Sequence, residues 1–222
     1  MLFRSPAEAE LVVGDLTQVH TLRTAVEGMD AIVFTHGGDG GGKASAEAVD
    51  YGGVRAVLEA LCGRAVRIAL MTSIGVTNRQ GAYNRSTQIH DWKRRGERLV
   101  RTSGLPYTIV RPGWFDYNAR DQHRLVFLQG DTRHAGDPSD GAVARQQIAQ
   151  VLVHSLSCEA ARCKTIELVA ERGPAPDDLD PLFAGADADR PGDLDAVNDV
   201  DNMPFASEPE RVRDALTAVS RG

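Results

Sequence analysis

The sequence predicts an α/β fold built on a doubly wound, mostly parallel sheet. Short apolar runs of strand length recur at Asp30 to Thr35, Val66 to Thr72 and Tyr107 to Val110. The first is apolar almost throughout, as in a strand covered on both faces. Segments with helical spacing of apolar residues stand between these runs, and strands that alternate with helices indicate βαβ units. The 222 residues, 42% of them hydrophobic, suffice for one α/β domain with a sizeable core. Residues 1–222 are therefore read as a single domain whose end, from residue 173 on, is rich in loops.

In chain order, Glu10-Leu-Val-Val-Gly14 reads as a short strand followed by Asp15. Leu16 to Glu27 is a helix, with Leu16, Leu22 and Val26 near helical spacing and Gly28 closing it. After the strand Asp30 to Thr35 comes a glycine-rich loop, His36 to Lys43, and then a helix from Ala44 to Leu61 despite Gly52-Gly53. Asn78 to Arg85 is a polar loop holding Tyr83. Ser86 or Thr87 caps the next helix, which ends at Gly104 and puts Ile89, Trp92, Gly96 and Leu99 on one face. Lys93 lies at the edge of that face, and Arg94, Arg95 and Arg98 read as a solvated surface. Further strands are expected at His123 to Gln129 and Lys164 to Ala170, and helices at Ala142 to Leu156 and Glu208 to Val219. Gly173 to Pro204 is an acidic, loop-rich excursion with a short helix near Leu179 to Phe183.

Composition narrows the function. A formal net charge of −6 argues against a general nucleic-acid binder. No apolar run is long enough to cross a bilayer, and no signal-peptide segment opens the chain. Cys62, Cys158 and Cys163 lack metal-like spacing, so reduced, structural thiols in the cytoplasm are expected; Cys158 and Cys163 would reach a metal only with ligands from elsewhere in the chain. The expected partner is a small-molecule substrate, and a homo-oligomer is compatible with the sequence. Gly37 to Ala44 almost spells a P-loop, but Ala44 lacks the metal-binding hydroxyl and Asp39 puts a negative charge in the cradle, which argues against an NTPase.

The stretch Met71-Thr-Ser-Ile-Gly-Val76 ends a strand in a serine, a helix carrying Lys93 follows, and Ser103 to Gly113 forms a strand ending in Arg111-Pro112-Gly113. This pattern resembles the second half of a short-chain dehydrogenase/reductase (SDR) of the atypical, NmrA-like kind. The resemblance runs from Arg4 to about Ala170. It implies a Rossmann-like domain that binds NADP or NAD and acts in oxidoreduction of a small carbonyl or hydroxyl compound. On that reading Ser73 polarises the substrate, with a turn serine as the plainer role. Lys93 holds the nicotinamide ribose, or is a solvated helix charge among Arg94, Arg95 and Arg98. Arg4 meets the 2′-phosphate of NADP, or is a frayed terminal residue. Asp15, with Leu16 beside it, contacts the adenine or caps a helix. Thr35-His36-Gly37 lets the backbone approach the adenosine ribose, and Pro112, Gly113 and Trp114 form the turn against the carboxamide.

Two departures stand out. The family's tyrosine, four residues before the lysine, is replaced by Ile89, so Tyr83, His90 and Asp91 become substitute proton donors, Tyr83 first. No G-x-G-x-x-G or G-x-x-G-x-x-G occurs, so the strand–turn–helix that holds the pyrophosphate has no counterpart. A start inside the fold or a fragment is the expected cause, and weak or no NADPH binding by this chain the expected result. The rival functions are a non-catalytic NAD(P)-sensing regulator acting through a protein partner, and a truncated chain without cofactor binding.

Overall fold

The computed structural model describes residues 8–38 and 41–220. Five strands make the main sheet: β1 (Ala31–Phe34), β2 (Arg67–Met71), β3 (Tyr107–Pro112), β5 (Arg124–Leu128) and β7 (Lys164–Glu171), in the order β1-β2-β3-β7-β5. The first four run parallel and β5 closes antiparallel on β7. Parallel neighbours need crossover helices, and the intervening amphipathic segments supply them. A separate two-stranded ladder pairs β4 (Trp114–Phe115) with β6 (Ala142–Val143). This is the Rossmann-like α/β architecture that the sequence predicts.

Helices cover both faces. On one face lie α1 (Val19–Val26), α3 (Gly52–Leu61), α5 (Ile89–Thr102) and α8 (Glu210–Val219), around a core that includes Val54, Leu61, Ile68, Leu99 and Leu216. On the other lie α6 (Arg145–Ser155) and α7 (Asp180–Ala184), packed through Val151, Leu152, Ile166 and Phe183. The segment read as one helix from Ala44 begins as α2 (Gly42–Ser45), passes through a π-helical stretch, Ala46–Tyr51, and continues as α3. Gly53 is needed there because His36 lies against it: a Cβ would stand 3.1 Å from the imidazole Nε2.

Four expectations are corrected. Residues 10–14 are not a strand; Leu11 is 76% and Val13 96% exposed. Among the described residues β1 is bonded only to β2, and nothing beyond it offers residues 10–14 a ladder, so their backbone gains nothing by extending into one. The polar loop holding Tyr83 is instead partly helical, as α4 (Ala82–Thr87). The helix after it has its N-cap at Gln88, which takes φ 58°, rather than at Ser86 or Thr87, so α5 starts at Ile89, whose N–H is met by Thr87 Oγ1 at 3.3 Å. The segment from Ala142 splits into β6 and α6.

The largest correction concerns the arginines of α5. Arg94 and Arg98 are 0% and 1% exposed, not solvated. Arg94 Nε donates to Asp195 at 2.9 Å, and Arg98 spans Asp195 at 2.6 Å and Glu208 at 2.7 Å. Arg95 donates to Glu208 at 2.7 Å, and Arg101 to Asp189 at 3.2 Å. The acidic excursion is thus a strap whose carboxylates neutralise the polar face of α5. Beneath it, Arg111 is fully buried and donates to Glu97 and Asp199, each at 2.7 Å.

Candidate functional site

Because β1, β2 and β3 run parallel, their carboxyl ends open on one edge of the sheet, where ligands bind in open α/β folds. Three connections leave that edge: residues 35–38 after β1, 72–77 after β2, and 113–114 after β3. Ile74 N–H donates to Pro112 O at 3.1 Å and joins the second to the third.

The turn holding Ser73 is fixed from below by Asp131, a buried carboxylate that accepts from Gly75 N–H at 2.6 Å and Thr77 N–H at 2.7 Å. Gly75 takes φ 85°, and a Cβ on it would lie 3.2 Å from His90 Cε1. Ser73 Oγ and His90 Nδ1 are both buried without a hydrogen-bond partner. Burial lowers the His90 pKa to about 4, so this imidazole is neutral at pH 7. Tyr83 is exposed, on α4, with its ring edge against His90 at 5.3 Å between centroids.

One turn further along α5, Lys93 is partly buried and paired with Asp50 at 2.7 Å; the Asp50 side chain is fully buried. Asp50 comes from the π-helical stretch, a conformation that recurs at functional sites. Its other oxygen accepts from Gly38 N–H at 3.2 Å. A Cβ on Gly37 would lie 3.7 Å from Asp50 Oδ1 and 3.9 Å from Lys93 Nζ, so the pair sits beside the glycine turn. Leu16 and His36 meet over Gly53. His36 is held below its usual pKa, first by burial and then by the Lys93 charge.

Leu16, His36, Gly37 and Lys93 are therefore brought together, and Ser73 connects to them through His90 and α5. Thr35 is exposed at the rim. Asp15 is also exposed, and both its carboxylate oxygens are engaged, by Thr17 and Gln18, in a turn ahead of α1, which lowers its pKa. It does not cap α1 itself, since Gln18 holds that position. Arg4 lies outside the described residues. Pro112 ends β3; Gly113 N–H is bonded to Leu168 O and Trp114 N–H to Gly141 O, both at 2.9 Å, so neither N–H is free for a carboxamide. In the near-P-loop, Ser45 Oγ donates to Gly38 O at 2.8 Å. A cavity of about 760 Å³ lies elsewhere, near Leu58, Leu61, Leu105 and Val219, at the amino ends of β2 and β3.

A protein-family profile described as NAD(P)H-binding matches residues 2–159. The chain belongs to the NAD(P)H-binding family. Within it, the chain is 29% identical over 187 residues to the uncharacterized chloroplastic protein At2g37660 of Arabidopsis thaliana, covering 74% of this chain and 56% of that protein. It is 26% identical over 216 residues to sanguinarine reductase of Eschscholzia californica, covering 79% and 78%. The fold is shared with a putative NAD-dependent epimerase/dehydratase from Bacillus halodurans, at TM-score 0.60 and 21% identity over 78% of this chain and 76% of that one. The chain spans only about half of At2g37660. The SDR-like, NmrA-like resemblance thus holds for family and fold, and a nicotinamide cofactor is the family's ligand. No helix among the described residues is long and apolar enough to cross a membrane.

Asp50 and Asp131 were not singled out from the sequence. Asp50 had a signal: it lies four residues before Val54, on the apolar face of its helix, where an unpaired carboxylate is costly. Asp131 had none beyond a Gly-Asp turn after a strand.

Proposed function

We propose that this chain is an SDR-like oxidoreductase that uses NADP or NAD on a small carbonyl or hydroxyl substrate, at the carboxyl ends of β1 to β3. The observation that carries the proposal is Ser73 Oγ, buried and without a partner at the end of β2, with the equally unpartnered His90 Nδ1 across Gly75. Buried polar atoms rarely go unpaired, and ligand atoms are a common reason when they do. These residues fit the nicotinamide end of the cofactor: Lys93 would bond the ribose hydroxyls, while Leu16, Thr35, His36 and Gly37 would line the adenosine side. When bound, the cofactor supplies or accepts a hydride.

Ser73 would donate to the substrate oxygen and favour its developing negative charge. Neutral His90 would hold Ser73 or the substrate in place, and Tyr83, reaching the site from α4, is our candidate to deliver the proton. Asp50 would keep the Lys93 ammonium at the glycine turn. The likeness to sanguinarine reductase supports reduction as the direction. We place the protein in a reducing compartment, the cytoplasm, consistent with three free thiols. Ile89, apolar where a family tyrosine is expected, favours the second reading, a cofactor-sensing regulator without turnover.

Titration calorimetry with NADPH and NADH tests binding, and a panel of aldehydes, ketones, quinones and sanguinarine tests turnover. Ser73→Ala should lower turnover by about 10²–10³-fold. Lys93→Met, made together with Asp50→Asn so that no buried charge is left alone, should weaken cofactor binding by about 1.5–3 kcal/mol. Binding without turnover of any substrate would select the regulator, and no binding would remove both readings.

A further inference from the structure

Outside this site, one group of side chains has no role in it. His154 lies in the last turn of α6, Cys158 opens the turn Glu159–Ala161, and Asp180 is the first residue of α7. The imidazole nitrogen, thiol sulfur and carboxylate oxygen all lie within 4.8 Å of one another. His154 Nε2 and Asp180 Oδ1 are 2.6 Å apart. We infer that His154, Cys158 and Asp180 form a binding site for a single transition-metal ion, Zn²⁺ by preference.

The donor set chooses the metal. One nitrogen, one thiolate sulfur and one carboxylate oxygen suit a borderline ion in tetrahedral coordination, with water in the fourth place. A thiolate ligand disfavours Mg²⁺ and Ca²⁺. In a tetrahedron with ligand bonds of about 2.0–2.3 Å, the donors stand about 3.3–3.8 Å apart. The donors already lie within 4.8 Å of one another, so side-chain adjustments reach that spacing, the contact between His154 and Asp180 opening from 2.6 Å. On binding, the Cys158 thiol passes its proton to solvent as the metal–sulfur bond forms.

Each ligand stands on a fixed support. α6 is anchored by Val151 and Leu152, both nearly inaccessible. α7 is anchored by Leu179 and Phe183, which flank Asp180. The His154 ring lies parallel to the Phe183 ring at 6.1 Å between centroids, which sets its plane. Cys158 N–H donates to His154 O at 3.1 Å, tying the two ligands through the backbone. The sulfur is buried, while the His154 side chain is 33% and that of Asp180 60% exposed. An ion therefore enters from solvent and meets the sulfur at the floor, with no opening of the core. The spacing His154-x₃-Cys158 is only half of the signal in the sequence, since Asp180 arrives from 22 residues further on.

Co²⁺ titration of the reduced protein, followed by displacement with Zn²⁺, is the test. The expected result is one equivalent bound, with a near-ultraviolet thiolate-to-cobalt absorption and visible bands of tetrahedral intensity, both erased by Zn²⁺. Cys158→Ser should abolish the near-ultraviolet band, while Cys62→Ser and Cys163→Ser keep it. His154→Gln, at a half-buried position, and Asp180→Asn, at an exposed one, should each weaken Zn²⁺ by more than the roughly 10–100-fold that supporting residues alone contribute. Zn²⁺ should raise the melting temperature of the native chain and leave Cys158→Ser unmoved. Absence of the band would overturn the site. So would a band that follows Cys62 or Cys163, or Zn²⁺ affinity unchanged in both His154→Gln and Asp180→Asn. None of these readouts depends on nicotinamide binding or turnover.

Discussion

His90 and Glu167 make opposite demands on pH. His90 has its folded pKa lowered by burial to about 4, below the 6.5 of a free imidazole. Between those values the unfolded chain holds a proton that the folded one does not, so stability falls as pH drops from 6.5 toward 4, by about 2–3 kcal/mol for this residue. Glu167 is the reverse. Burial raises it to about 7, against the pull of Arg111 and with help from the neighbouring Asp131 and Asp199 charges. Its contribution is full below about pH 4.5 and is lost as pH rises through 7. His90→Gln should therefore remove the acid-side loss, and Glu167→Gln should raise stability above pH 7. Urea unfolding across pH 4 to 8 checks both, and a wild-type profile unchanged in either variant would refute that assignment. At this scale the sequence was partly legible. Ser73, Lys93 and the glycine turn were recoverable from spacing and resemblance. Asp50 showed only as a carboxylate on the apolar face of its helix; what it pairs with stands 43 residues away and could not be read from that face.

The element that most resists local reading is α5. Its run of arginines has the composition of a solvated face, and its true partners stand 88 to 113 residues away. No periodicity reports such a pairing, because local spacing says which residues share a face and nothing about what covers it. The energetic consequence is testable. Arg98 touches Asp195, Glu208 and Met203 O with almost no exposure, so Arg98→Met should cost about 3–5 kcal/mol by leaving buried carboxylates unpaired. Arg172→Met removes an exposed pair with Asp121 and should change stability by less than about 0.5 kcal/mol. Denaturation midpoints for the two variants separate the cases; equal losses would mean that the strap does not hold α5. The strands were legible by contrast, because a buried parallel strand announces itself in its own few residues, as Ile68-Ala-Leu70 does.

For the whole molecule, the described sheet has β1 at one margin, with Leu11, Val13, Met29 and Val33 exposed. The run at residues 10–14 has strand-like composition but no adjacent ladder, which is why composition alone misplaced it. An apolar sheet margin invites pairing between copies. The chain should therefore self-associate with rising concentration, and Val33→Lys should suppress this in analytical ultracentrifugation; association identical in the variant would clear β1 of the role. The strap across α5 sets a timetable as well. A ribosome completes α5 well before Asp189 to Glu208 exist, and at about 5–20 residues per second the gap lasts on the order of 5–20 s. Throughout that interval the guanidiniums of Arg94, Arg95 and Arg98 have water where their carboxylates will be. The apolar face of the helix can seat on the sheet as soon as its strands exist, while its polar face waits in water and is neutralised only as synthesis ends.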